Sequence, residues 1–66
     1  MMGKVEKYND KSKIGYIKGY DDVIYLYRKR EVDDNIILKE GDIVKFEYIR
    51  YSMEEMPMAI EIQKKG

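Results

Sequence analysis

Five short apolar runs, each bounded by residues that favour turns, fill most of this 66-residue chain. They are short and rich in β-branched and aromatic residues, and the clearest alternate with a period near two, which favours strands over helices. Gly3-Lys4-Val5-Glu6-Lys7-Tyr8-Asn9 reads as a first strand, closed by the turn-prone Asn9-Asp10-Lys11-Ser12. Lys13-Ile14-Gly15-Tyr16-Ile17-Lys18 is a second strand, and after the turn Gly19-Tyr20-Asp21-Asp22 comes a third, Val23-Ile24-Tyr25-Leu26-Tyr27. These three form a meander. Arg28 to Asn35 has one apolar residue, Val32, and suits a loop with a helical turn, after which Ile36-Ile37-Leu38 dips toward the core. The turn Glu40-Gly41-Asp42 precedes the longest run, Ile43 to Tyr51, whose alternation puts Val44, Phe46 and Tyr48 on one face. Ser52 to Pro57 is a loop, and Met58 to Gln63 is a fifth strand before the polar end Lys64-Lys65-Gly66.

A sheet this small must close on itself or leave its edges unpaired. The expectation is therefore an all-β, five-stranded antiparallel barrel, with residues 1–66 as one domain. A chain of about this size buries only ~60% of its unfolded surface, so the interior is thin.

The residue inventory excludes much chemistry. Cysteine and histidine are both absent, which removes disulfide staples, zinc fingers, zinc hydrolases and imidazole-based nucleophile systems. The pairs Asp21-Asp22, Asp33-Asp34 and Glu54-Glu55 have no calcium-loop spacing and read as solvated turns and loops. No enzyme activity, metal or cofactor is expected. No apolar run approaches the ~18 residues of a membrane span, and no basic-then-apolar leader opens the chain, so a soluble cytoplasmic protein with no membrane partner is expected.

Thirteen basic and thirteen acidic residues cancel, yet they are unevenly placed. Residues 1–30 hold eight Lys/Arg against four Asp/Glu, a net of +4, and residues 31–66 hold five against nine, a net of −4. The N-terminal half can attract phosphate.

Five segments, in order, carry a family resemblance: Gly3-Lys4-Val5 with Tyr8-Asn9; Ile14-Gly15-Tyr16-Ile17; Asp21-Asp22-Val23; Glu40-Gly41-Asp42-Ile43-Val44-Lys45-Phe46-Glu47; and Pro57-Met58-Ala59. Over nearly the whole length the chain resembles the cold-shock domain family, whose pattern runs G-K-V-K-W-F-N, K-G-F-G-F-I, D-V-F-V-H-F, E-G-x-x-V-x-F-E and G-P-x-A. The resemblance implies an OB-fold barrel that binds single-stranded RNA or DNA, in some members as an RNA chaperone. Stacking on exposed rings, with cations on phosphate, is sequence-tolerant and contributes about 1–3 kcal/mol per base.

Laid on that pattern, Tyr8, Tyr16 and Tyr27 keep a ring. Lys7 replaces the tryptophan, Ile14 and Ile24 replace phenylalanines, and Leu26 replaces the histidine. Asn35 falls near the loop aromatic, Asp22 falls on a position that can contact bases, and Ser12 and Lys13 occupy the lysine and glycine of the second motif. The candidate nucleic-acid site is thus Lys7, Tyr8, Lys13, Tyr16, Tyr27, Arg28, Lys29 and Arg30, assisted by Lys4, Lys11 and Lys18, with weak and salt-dependent binding of low sequence specificity. The alternative is a protein-interaction or self-associating module, a homodimer included, using Ile14, Ile24 and Leu26 as an aliphatic face. Tyr25 is expected in the interior or at its rim, Tyr48 and Tyr51 are read as structural, and Met53, Met56 and Met58 as either a cap on the barrel bottom or an adaptable contact surface. Gly15 is read as allowing backbone crowding or a bulge, and Gly41 as a turn residue.

Overall fold

Alternation along each run sorts side chains into an inward and an outward set, and the inward set is large enough to fill a small barrel. The computed structural model describes residues 1–65; Gly66, at the end of the polar tail, lies outside the described residues. Its strands are β1 (Met2–Asn9), β2 (Ile14–Gly19), β3 (Ile24–Arg28), β4 (Ile43–Ile49) and β5 (Met58–Lys65). They close in the order β1-β2-β3-β5-β4, with β4 returning to β1. Val5, Ile17, Tyr25, Tyr27, Val32, Val44, Phe46, Ala59 and Ile62 form the core.

The barrel is not purely antiparallel. β3 runs parallel to β5, registered at Leu26 with Met58 and tied by the Leu26 N–H donating to the Pro57 carbonyl at 2.9 Å. Parity requires such a joint: around a ring with an odd number of strands, direction cannot alternate everywhere, so at least one neighbouring pair must be parallel. A second parallel bridge, Val32 with Ile62, continues the seam.

Two bulges decide which side chains point inward. On β1 the register passes from Val5–Ile17 to Lys7–Tyr16, so Glu6 is extra and the in–out parity flips. Val5 and Tyr8 both turn inward, although three positions apart. On β5 the register passes from Gln63–Lys45 to Ile60–Glu47, so Glu61 and Ile62 together oppose Phe46. Glu61 takes the left-handed conformation there, φ +50°, and both Ala59 and Ile62 reach the core.

Several expected details change. Lys13 and Val23 fall outside the strands, and the fourth strand ends at Ile49, leaving Arg50 and Tyr51 beyond it. Tyr48 pairs with buried Ala59 and its ring meets Tyr25 at 5.3 Å, yet it stays 47% exposed because it lies near the strand's end. Tyr51 is exposed too and packs in no core. Met53 is 85% exposed and Met56 is exposed, so the methionines do not cap the barrel; only Met58 is half-buried, held by its strand. The charged segment after β3 does contain the helical turn, a 3-10 turn over Lys29–Glu31. Ile36 and Leu38 pack against the core while Ile37 points out. Gly41, at φ +91°, makes the turn before β4 and donates its N–H to the Val5 carbonyl.

Candidate nucleic-acid interface

The β1–β2–β3 register places the outward side chains on a three-by-three lattice. Lys4, Lys18 and Ile24 form one row, Lys7, Tyr16 and Leu26 the next, and Asn9, Ile14 and Arg28 the third. Tyr16 sits at the centre, 38% exposed. Cations surround it: Lys7 directly across β1, Lys4 and Lys18 on one side, Arg28 on the other. Lys18 approaches Asp22 at 3.9 Å and is partly neutralised. Beside Tyr16 lies a groove of about 360 Å³ lined by Lys7, Tyr8, Asn9, Ser12, Ile14, Tyr16 and Leu26.

Of the three rings assigned to stacking, only Tyr16 faces outward. Tyr27 is 2% exposed and Tyr8 is half-buried. The two occupy one inward row on either side of Gly15, where their rings stack with centroids 6.0 Å apart and planes 18° apart. A Cβ on Gly15 would stand 2.5 Å from the Tyr27 ring and 2.6 Å from the Lys7 carbonyl, so of the two readings of this glycine it is crowding, not a bulge, that applies, and glycine is what admits the ring. Tyr27 is therefore a core residue. Burial pushes its phenol up to about 12 from the ordinary 10.0, the mark of a group held away from water. Tyr25, two residues earlier, is buried as expected, and Tyr25 and Tyr27 necessarily share a face. Tyr25 donates its hydroxyl to Asp21 at 2.7 Å, and its phenol too is pushed up to about 12, by burial first and by Asp21 second.

The remaining assigned cations separate. Lys13 lies in the β1–β2 turn at φ +61°, with its ammonium 3.4 Å from Asp10. Arg28 reaches the outward lattice, but Lys29 lines a different groove, of about 340 Å³, at the barrel end, together with Tyr8, Tyr27, Val32, Asp34, Ile36 and Leu38. Arg30 lies 4.0 Å from Glu31. The basic run Arg28-Lys29-Arg30 thus does not act as one patch, because the 3-10 turn redirects the chain between them.

Asn9 and Ser12 enter the groove without having been assigned to the site. Their signal in the sequence was the turn itself: Asn9 ends β1 beside the outward positions of β2. Its Oδ1 accepts the N–H groups of Lys11 at 2.9 Å and Ser12 at 3.2 Å, which shapes the turn.

Ile14 and Leu26 are half-buried and Ile24 more exposed, so the aliphatic positions flank Tyr16 on the same lattice. No helix among the described residues is long and apolar enough to cross a membrane. No family model matches the chain, and no curated protein sequence matches it.

Proposed function

We propose that this barrel is a cold-shock-like OB domain that binds single-stranded RNA or DNA through its β1–β2–β3 face, as a cytoplasmic binding module and not an enzyme. The supporting observation is the lattice position of Tyr16, an outward ring at the centre of a face bordered by Lys4, Lys7, Lys18 and Arg28. One base stacks on Tyr16 while these cations track the phosphates on either side. With a single outward ring, stacking contributes about 1–3 kcal/mol, so binding is weak and leans on charge. Each phosphate neutralised contributes ~0.7 to the slope of log affinity against log salt for a single strand. Three to four cations give a slope of roughly −2 to −3.

The test is a fluorescence-anisotropy titration of labelled oligouridine and oligothymidine at low and physiological salt, with Tyr16→Ala alongside the wild type. Binding that weakens with salt and drops ~5- to 100-fold in Tyr16→Ala supports the reading. Absence of binding at low salt would overturn it. A second reading is favoured by the aliphatic neighbours of Tyr16: Ile14, Ile24 and Leu26 would serve a protein partner or a homodimer. Size-exclusion chromatography of the free protein separates the two, because a dimer lost in Leu26→Lys would favour self-association.

A further inference from the structure

The outward row through Tyr16 does not stop at β3. Lys7 pairs with Tyr16 and Tyr16 with Leu26. Across the parallel joint Leu26 pairs with Met58, and Met58 pairs with Ile49 on β4. Residues registered across a sheet share a face, so Tyr16, Leu26, Met58 and Ile49 form one apolar stripe around the outside of the barrel, interrupted by no charge. Tyr16 is 38% and Ile49 37% exposed, while Leu26 and Met58 are half-buried. The stripe crosses from the half of the chain with a net of +4, which supplies β1 to β3, to the half with a net of −4, which supplies β4 and β5. Because β3 and β5 run parallel, Arg28 and Ile60 lie on the same side of the stripe, and Glu47 stands opposite Ile60. Arg28 and Glu47 are exposed, and neither has an ion-pair partner among the described residues.

We infer that the stripe is a self-association surface whose occupant is a second copy of this chain, packed face to face about a two-fold axis along the β3–β5 joint. Such an axis turns the stripe end for end. Leu26 then falls on Met58 of the second copy and Tyr16 on its Ile49, so apolar meets apolar along the contact. The same rotation sets the basic half of each copy against the acidic half of the other, and brings Glu47 of the second copy one strand spacing, ~4.8 Å, from Arg28. The pattern is self-complementary, which an isologous contact requires and which singles out a second copy among protein partners. A barrel is convex and the row spans four strand spacings, ~19 Å, so the contact is small and the dimer reversible. This carries the self-association reading onto strands outside the β1–β2–β3 face, and it holds without the nucleic-acid reading. Where both hold, the second copy covers Tyr16 and Arg28, so it competes with a bound nucleic-acid strand.

The experiment is sedimentation equilibrium of the free protein from micromolar to millimolar concentration, for the wild type, Ile49→Lys, Met58→Lys, Arg28→Glu and Glu47→Arg, with thermal melting of each variant to confirm folding. The wild type should show a monomer–dimer equilibrium. Ile49→Lys and Met58→Lys place an ammonium inside the contact and should each weaken the dimer by more than ~10-fold. Both lie outside β1, β2 and β3, so salt-dependent binding of oligouridine should survive in them. Each charge swap sets like charges together twice and should weaken the dimer ~5- to 10-fold. An equimolar mixture of the two swaps pairs opposite charges again and should recover the association of the wild type. A wild type monomeric at millimolar concentration, a dimer undiminished in folded Ile49→Lys and Met58→Lys, or a mixture no more associated than either swap alone would overturn the proposal. A wild type that dimerises but binds no oligouridine even where it is monomeric would overturn the nucleic-acid reading alone.

Discussion

Replacing Lys13 with glycine should make the protein more stable, even though it deletes a cation and an ion pair. Lys13 ends the β1–β2 turn at φ +61°, with its N–H donating to the Asn9 carbonyl at 2.9 Å. A side chain in that conformation crowds its Cβ against the following carbonyl, at roughly 1–2 kcal/mol, a cost glycine does not have. Two terms oppose the gain. Glycine frees the unfolded chain by about 0.5–1 kcal/mol, and the Lys13–Asp10 pair, at 3.4 Å with both side chains more than half exposed, contributes at most a few tenths of a kcal/mol. The balance favours Lys13→Gly by about 0.5 kcal/mol, or roughly 2–4 °C in melting temperature for a domain of this size. Lys13→Ala is the control. It loses the same ion pair but keeps the Cβ, so it should melt slightly below the wild type and about 0.5–1 kcal/mol below Lys13→Gly. Thermal unfolding followed by far-ultraviolet circular dichroism reads all three. If the glycine and alanine variants melt together, or the glycine variant melts below the wild type, strain at Lys13 is not what separates them.

Other outcomes follow from the buried tyrosines. The Tyr8 hydroxyl is buried with no hydrogen-bond partner among the described residues, so Tyr8→Phe should keep the ring stacked on Tyr27 and raise stability by about 1 kcal/mol; a lower denaturant midpoint would mean the hydroxyl has a partner, such as a bound water. Tyr25 and Tyr27 are raised from 10.0 to about 12 in the fold, so the neutral phenol is favoured when folded. Their contribution is complete below pH 10 and is lost as pH rises toward 12. Melting temperature should fall across that interval, with phenolate absorbance from two tyrosines lagging behind that of the exposed ones while the protein stays folded. Full phenolate absorbance before any loss of the fold would refute their burial.

The strands themselves were largely legible in the sequence. All five runs become strands near their expected positions, because alternation and turn chemistry are local properties. Closure into a barrel followed from edge protection in so short a chain. The parallel β3–β5 joint was in principle legible as well, since five strands in a ring cannot all alternate. Tyr27 illustrates a different loss: placing Tyr25 inside and Tyr27 outside set two residues of one straight strand on opposite faces, which alternation forbids. The sequence contained that answer.

Tyr8 is different in kind. Strict alternation from buried Val5 would turn Lys7 inward and Tyr8 outward, and only the bulge at Glu6 reverses them. A bulge is set by how two strands settle against each other around the closed ring, and no local period announces it. The same holds for Phe46 opposite Glu61 and Ile62. Local spacing thus determined that this chain makes five strands, closes a small barrel and carries its excess of cations in the first half. Tertiary pairing decided that Tyr16 alone of the three assigned rings faces outward, that Arg28 and Lys29 part company, and that Asn9 stands in the next row of the same face. The physical reason is that a strand's pattern specifies two faces, while only its partners, and the bulges they impose, specify which face becomes the outside.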